Sequence, residues 1–585
     1  ATTRNATGAH SENVLRISLL PVPLSSEPAS GYASYQIFID RSKEEGTKFG
    51  AKDQEAIVEI IGRLEGSPLA ICLAAAQTST LTPLQILREL DDRFRLLVSE
   101  KDEFVERHQR LWTCIDWSFA MYPEAHALLK VLAIFRGGWT LETSQLAYGG
   151  APVNSLTQSL LRSSLVQESS RADSVRFDMF EAIREFVRDC TTQAETGLVR
   201  EQHANAMRMW LTSDKVRWQS FDSGYVPTRA VEFENLRAAF EWSLEHRPDW
   251  SLDIANGLSY YWFSCDMFRE GKNWITRAIQ VNPKQVGLGY AMALRTLASM
   301  HTGLGDYRLA YEVLLEGLAL FPEDADPVQR IRFYNSMGNA CANFDQSLAV
   351  QHYAEGIQIA EHAGDKVALS SLKGNTAFAL MMAGNLDEAE AYLEPVIEQT
   401  KDAGNSDWHS QFLHNYGLVA KARGDWAEAE RRFAESRLAV QGSTSNPATR
   451  GWLTDVGLVI LRQGRFEEAL VSIKASAAGV SSLRGNEAFV DLMEAMAEWC
   501  HATGDTQEAV ALLVASAKLG TPGQRSVAER SLTGSQRLAL LKNSLPSDVF
   551  RNASQRYRGM SAQEVLEEIE DYEPQNQTLA TDALP

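Results

Sequence analysis

Seven tight-turn positions recur along the chain: Asp266, Gly305, Phe344, Gly384, Gly424, Gly464 and Gly504, spaced 39, 39, 40, 40, 40 and 40 residues apart. Regular spacing of this kind marks an internal repeat, and with it an array whose units contact mainly their neighbours. Five residues after each marker stands a small residue: Gly271, Ala310, Ala349, Ala389, Ala429, Ala469 and Ala509. Nine after it stands a large apolar one: Ile275, Leu314, Tyr353, Leu393, Phe433, Ile473 and Leu513. Seven before it, Ser259, Ala298, Ala377, Gly417, Gly457 and Ala497 are small again, and the third repeat has Met337 with Gly338 beside it. Small residues on two helices let their backbones approach, and the bulky residue a turn later fills the space between pairs. Each unit is therefore expected to be a helix, a short turn and a second helix, with the turn glycine in the left-handed conformation that ends the first.

These phases resemble the tetratricopeptide repeat, down to the small residue of the second helix. That repeat has a period of ~34, and the longer one here fits turn-rich inter-repeat loops such as "FPEDADPVQ", "AGNSD" and "GSTSNPA". A period near 40 by itself also suits HEAT-type helical pairs. Stacked helix pairs of either kind form a superhelix with an inner groove.

The chain has 585 residues, too many for one core. Its 44% hydrophobic and 23% charged composition is that of an ordinary globular protein. A net charge of −20 gives it no overall attraction to phosphate backbones or anionic membranes. The six cysteines, at 72, 114, 190, 265, 341 and 500, are far apart and form no CxxC pair, so buried reduced thiols in a cytoplasmic protein are expected. No apolar run approaches the ~20 residues of a membrane helix. The opening "ATTRNATGAHSENVLRISLLPVPL" has no methionine and reads as the end of a strand, so the chain is expected to be a fragment.

Upstream of the repeats, "ASYQIFIDRSKEE", "AKDQEAIVEIIGRLEG" and "GSPLAICLAAAQTSTLTPLQILREL" carry helical periodicity. The string "RLEGSPLAICLAAAQTSTLTPLQILRELDDRFRLL" resembles the helical lid of bacterial STAND regulators, the signal-transduction ATPases related to NB-ARC proteins. In that family a Thr-Thr-Arg carries a phosphate-sensing arginine, and a Gly-x-Pro packs on the nucleotide base. The resemblance places these roles on Arg4 and on Gly66 and Pro68. Read by themselves, Arg4 is an ordinary surface arginine and Pro68 the first-turn proline of a helix.

Residues "RHQRLWTCIDWSFAMYPEAHALLKVLAIFRGGWTLETSQLAYGG" give helices with Trp117, Leu128, Leu129, Leu132 and Phe135 as expected core. Two short strands around "SRADS" and a last helix complete the outline of a winged helix. The motifs "RHQ", "DWS" and F-x-GG-x-T resemble the winged-helix domain that follows the lid in STAND proteins. At the family's Met-His-Asp motif this chain has Met179, Phe180 and Glu181. Phenylalanine cannot donate a hydrogen bond to a phosphate.

The expected fold is mainly α: the end of an NTPase core at 1–24, a helical lid at 25–92, a linker at 93–106, and a winged helix at 107–190. A helical adaptor follows at 191–265, then an α-solenoid of tetratricopeptide-like pairs at 266–518, a helical cap at 519–573 and a disordered tail at 574–585. No GxxxxGK[ST] occurs, so neither the phosphate-cradling loop nor its lysine is present, and no hydrolysis is expected of this chain. ATP or ADP belongs, by the resemblance, to the full-length protein, and tight binding by this chain alone is not expected.

Nine residues before four successive markers lie Asn335, Asn375, Asn415 and Asp455. In the tetratricopeptide pattern this phase faces the groove, where an asparagine can both donate to and accept from an extended peptide. Hydrogen bonds between helices inside the array are the alternative. The resemblance implies a signal-sensing part of a transcriptional regulator that is no enzyme in itself. A protein, peptide or small-molecule inducer would sit in the groove, DNA would be met only through a further domain, and activation would lead to oligomerisation. A free-standing scaffold, or the regulatory half of an effector such as a cyclase or kinase, would use the same array.

Overall fold

The computed structural model describes residues 20–23, 29–44, 49–95, 103–171, 174–213, 225–265, 267–284, 287–401, 406–440, 452–483, 486–519 and 534–574. The protein is mainly α and falls into two compact units, Ala1–Trp210 with Val231–Trp242, and Leu211–Ala230 with Ser243–Pro585.

The first unit opens with helices Ala33–Glu44, Ala51–Arg63, Pro68–Ala76 and Pro83–Arg95. The third of these, PLAICLAAA, is apolar on every side, as a central helix must be. Six of its nine residues are buried, and Phe38, Ile57, Ile60, Ile61, Ile86 and Leu90 of the other three helices are buried too. The connector expected at 93–106 is helical at both ends, where Pro83–Arg95 runs out and Glu103–Ala120 begins. Helices His126–Leu132, Leu141–Ala147 and Asn154–Arg162 follow, then an antiparallel hairpin of Gln167–Arg171 and Ser174–Asp178, then helix Glu181–Asp189. The hairpin register pairs Gln167 with Asp178 and Ser169 with Arg176. Trp139 adds a short bridge to Phe177, each amide donating to the other's carbonyl at 2.8 Å. All five expected core residues are buried, and Trp139 joins them.

The second unit is a stack of helix pairs. After Pro248–Gly257 and Ser259–Ser264 comes Phe268–Val281, and then five pairs whose first helices are Leu288–Gly303, Pro327–Cys341, Lys366–Met382, Ser406–Arg423 and Leu453–Arg462. The last pair is Asn486–Ala502 with Thr506–Leu519. Each first helix packs on its own partner and on the second helix of the preceding pair, the contact pattern of a solenoid. The predicted small positions explain the spacing: Ala310, Ala349, Ala389, Ala429, Ala469 and Ala509 have no exposed surface. Gly417 faces the ring of Phe433, and a Cβ on Gly457 would stand 3.2 Å from the carbonyl oxygen of Ala469. The glycines at 305, 384, 424, 464 and 504 all have φ between +78° and +92°. The aspartate after the glycine caps the second helix: Asp425 accepts from the Glu428 amide at 3.1 Å and Asp505 from Glu508 at 3.1 Å.

The third repeat departs from the expected phase. Its close-approach residue is Gly338, whose α-carbon lies against the ring of Tyr353, and not Met337. From Gly338 to the capping Asp345 is one residue fewer than from Gly417 to Asp425, and Phe344 lacks the left-handed conformation. Asn335 therefore sits one helical position earlier than Asn375, Asn415 and Asp455, so the sequence phase is shared by three of the four. The marker Asp266 lies outside the described residues.

Helices Gly534–Ser544, Ser547–Ala553 and Ala562–Glu570 close the array. Their Leu541, Val565, Leu566 and Ile569, with Tyr557 from the turn between the last two, share one core with Met496, Cys500 and Leu512 of the last pair, covering its apolar face. The tail expected to be disordered lies almost wholly outside the described residues. Of the cysteines, 114, 341 and 500 are buried, but 72 and 265 are half-buried and Cys190 is exposed at the end of helix Glu181–Asp189. Cys190 is thus a surface thiol, contrary to the sequence expectation.

Candidate functional site

Of the residues read as nucleotide contacts, Arg4 lies outside the described residues. Gly66 is buried with φ +72°; its amide donates to the Ile61 carbonyl and its own carbonyl accepts from the Leu20 amide at 3.1 Å. Pro68 is the exposed first residue of its helix. The local geometry accounts for both as the turn joining Ala51–Arg63 to Pro68–Ala76.

The glycine pair in "FRGGWT" belongs to a buried polar network that sequence reasoning missed. Gly137 and Gly138 both have φ +80°, which turns their carbonyls toward Arg176. Arg176 Nη2 donates to both, at 3.3 and 3.1 Å, and Nη1 pairs with Glu232 Oε1 at 2.5 Å. Asn235 Nδ2 donates to Glu232 Oε2 at 2.6 Å and to the Gly138 carbonyl at 3.0 Å, and its Oδ1 accepts from the Arg136 amide at 2.6 Å. Arg176 and Glu232 are 3% and 2% exposed, so this pair is removed from solvent. It fixes the middle of helix Tyr225–His246 to the hairpin and to the glycine loop within the first unit. The signal in sequence was the i, i+3 spacing of Glu232 and Asn235 in "VEFENLRAAF" beside a polar position on a strand.

At the position of the Met-His-Asp motif, Phe180 is exposed and stands just before helix Glu181–Asp189. Arg184 is the anchor beneath it, donating to the Ala133 and Phe135 carbonyls and to Asp178 Oδ1 at 3.0 Å, and pairing with Glu181 at 3.2 Å. Next to this network His203 is buried edge-on to Phe135, ring centroids 4.6 Å apart. Burial pushes its pKa down to about 4 from 6.5, the Asn235 side chain opposes this, and the charge of Arg136 adds to it. The neutral folded form takes up its proton only well below the pH at which the unfolded chain does. Stability is therefore full above about pH 6.5 and falls as pH drops toward about 4. Denaturation followed across that window should show the first unit weakening, and His203→Gln should flatten the dependence.

In the second unit the first helices form a continuous wall, and the polar residues singled out from sequence lie on it. Asn375 Nδ2 donates to Asn335 Oδ1 at 2.8 Å, joining two successive first helices. Asn415 is nearly buried and accepts from Gln411 at 3.1 Å within its own helix. Asp455 pairs with Lys421 at 2.8 Å and His414 at 3.4 Å, both from the preceding first helix. Burial would raise the Asp455 pKa, but the charge of Lys421 and the bond to His414 outweigh it and hold the carboxyl below its usual range. These groups thus bond between and along helices, while Asn335 and Asn375 keep part of their surface open. One turn from Asn375, the ring of Phe378 is exposed on the same helix.

Two further polar residues of the wall were not anticipated. Arg295 on Leu288–Gly303 and Arg332 on Pro327–Cys341 stand on adjacent first helices that pack together. Burial lowers the pKa of Arg295 to about 10; burial and then the charge of Arg295 lower that of Arg332 to about 9. The signal was available as two arginines ten and twelve residues before their markers.

The family model described as "Tetratricopeptide repeat" matches residues 368–437. A Mycobacterium tuberculosis (strain H37Rv) protein whose name describes it, provisionally, as an HTH-type transcriptional regulator is 28% identical over 355 residues, 58% of this chain and 40% of that protein. The chain thus spans about 40% of the length of that relative. An uncharacterized protein of the same strain is 42% identical over 114 residues, 19% of this chain and 29% of its own. Among solved structures, a STAND protein with a tetratricopeptide repeat sensor from Pyrococcus horikoshii is similar over 92% of this chain and 74% of its own, at 14% identity and a TM-score of 0.48. The tetratricopeptide resemblance read from sequence reappears in the family match over residues 368–437.

Proposed function

We propose that this chain is the sensing part of a STAND-type transcriptional regulator, in which the first-helix wall of the repeats takes a peptide or small inducer. The observation that carries the reading is the row of partly open polar groups and the exposed Phe378 on consecutive first helices, where one extended ligand meets several repeats. The name of the mycobacterial relative supports the transcriptional output. No helix among the described residues is long and apolar enough to cross a membrane, which is compatible with action in the cytoplasm.

Nucleotide switching is proposed only for the full-length protein. Three features support this restriction: the P-loop motif is missing from the sequence, the Phe180 side chain offers no donor, and both backbone groups of Gly66 are used within the fold. Calorimetry with ATP and ADP on this chain should find no tight binding and no phosphate release.

The reading is tested by following the melting temperature of the chain against fractionated peptide and metabolite extracts of the source cells. A fraction that stabilises the wild type should lose about ten- to hundredfold in affinity when Asn335, Asn375 and Phe378 are all changed to alanine. Equal stabilisation of wild type and variant by every active fraction would overturn the wall as the sensing surface.

A further inference from the structure

The residue that follows the close-approach small residue holds the same place on each first helix. Along the array this row reads Asn339, Phe378, Leu418, Leu458 and Glu498, after Gly338, Ala377, Gly417, Gly457 and Ala497. Its ends are polar and already bonded: Asn339 accepts from the Tyr353 hydroxyl at 2.6 Å, and Glu498 pairs with Arg537 at 2.6 Å and with Arg462. The three members between them are apolar. Phe378 is 38% exposed, and Leu418 and Leu458 are half-buried, packed on the core beneath with part of their surface open. One turn back on the same helices lie Asn375, Asn415 and Asp455, so a polar row runs about 4.5 Å from the apolar one. The helices that carry both rows are direct neighbours. A Cβ on Gly374 would meet the ring of Phe412, and Lys421 reaches Asp455 at 2.8 Å.

We propose that this stretch of the wall takes a neutral peptide in the polyproline II conformation, with an apolar side chain at every third residue lying on Phe378, Leu418 and Leu458 in turn. The inference rests on the wall being the sensing surface and names the class of ligand. Packed helices stand about 8–10 Å apart, and that spacing selects among peptide conformations. A polyproline II chain repeats every three residues and rises about 9.3 Å per turn, so every third side chain meets a successive helix. A β-strand places same-face side chains about 6.6 Å and then about 13 Å apart, and misses the second site. An α-helix with an apolar residue at every seventh position rises about 10.5 Å between them, but its backbone groups are bonded internally and offer the polar row nothing. The polyproline II backbone has no internal hydrogen bonds. Its amides and carbonyls are open to Asn375 and to Gln411, which is half-buried and donates to Asn415 at 3.1 Å. Charge agrees with this ligand. Asp455 is matched by Lys421, and no other ionisable side chain stands in either row between Asn339 and Leu458, a neutral strip in a chain of net charge −20. The polar ends at Asn339 and Glu498 limit the row to three apolar places, hence a ligand core of about seven residues.

The test uses the whole chain and end-blocked, fluorescently labelled peptides of serine, proline and leucine, followed by anisotropy. A heptapeptide with leucine at its first, fourth and seventh positions should bind about tenfold tighter than the isomer with leucine at its first, third and fifth. Leu418→Asn and Leu458→Asn, each introducing the residue type the row already holds at 339, should weaken the heptapeptide about tenfold and remove the preference between isomers. Asn339→Leu tests the row by a gain that misfolding cannot imitate. A decapeptide with a further leucine at its tenth position should bind this variant about tenfold tighter than it binds the wild type, with heptapeptide affinity unchanged. Equal binding of the isomers, or no binding of either, overturns the three-residue period. A stronger preference for a helical peptide with leucine at every seventh position does so too, as does a preference between isomers that survives both asparagine variants. In any of these cases extract fractions that still act through Asn335, Asn375 and Phe378 leave the wall as the sensing surface for a different ligand. If the heptapeptide binds through the row while every extract fraction ignores those residues, the row stands and the sensing reading fails.

Discussion

Glu232→Ala is expected to destabilise the first unit by about 3–5 kcal/mol, the cost of leaving one partner of a buried ion pair uncompensated. The substitution strands Arg176, which is 3% exposed and among the described residues otherwise holds the Gly137 and Gly138 carbonyls. It also removes the acceptor that orients Asn235, and with it the grip on the Arg136 amide. Because the chain has two units, a single melting curve is not a clean measure. Hydrogen exchange at the paired amides of Trp139 and Phe177 reports the first unit directly. Those amides should exchange about a hundredfold faster or more in the variant. Arg176→Met together with Glu232→Leu should recover much of the loss, since an apolar pair of similar volume needs no compensation. Unchanged exchange in Glu232→Ala would mean that the pair contributes nothing to this unit.

The repeat array was the most legible part of the chain, because its constraint is steric and recurs. A residue such as Ala429, with no exposed surface, can only be small, and six further units impose the same choice. The failure in the third repeat came from counting back from the turn. The turn there is one residue shorter, so the close approach falls at Gly338 and Asn335 drops one position out of phase with Asn375, Asn415 and Asp455. A sequence phase measured from a loop inherits the loop's length, whereas the helix answers to its contacts. The helices and the hairpin between residues 107 and 190 were readable from periodicity and the turn at "SRADS", but the network around Arg176 was not. Its members come from a loop, a strand and a helix 56 residues on in the chain, and no local pattern unites them. The arginines of the wall were overlooked for the opposite reason. A lone charge in an amphipathic helix reads as a solvated face, and only packing reveals that Arg295 is desolvated.

Gly66→Ala is expected to lower the stability of the first unit by about 2–5 kcal/mol even with no nucleotide present, combining left-handed strain with a lost buried hydrogen bond. At φ +72° a Cβ would run into the Leu20 carbonyl oxygen, which is backbone and cannot swing aside. Relief requires the segment at Leu20 to move away, and its amide then gives up the Gly66 carbonyl. The turn also ends helix Ala51–Arg63 and sets the start of Pro68–Ala76, so a shift there reaches the central helix of the core. The resemblance to STAND regulators puts this Gly-x-Pro on a nucleotide base, and the two roles separate in one experiment. Exchange at the Ile71 amide, bonded to the Ser67 carbonyl at 2.9 Å, should rise in the nucleotide-free variant if the glycine is needed for the fold. If the free protein exchanges as the wild type does, and only full-length protein loses nucleotide affinity, the glycine is kept for the ligand and the strain argument fails. Pro68→Ala is the control, since an exposed first-turn proline has no amide to lose and its replacement should move neither readout by much.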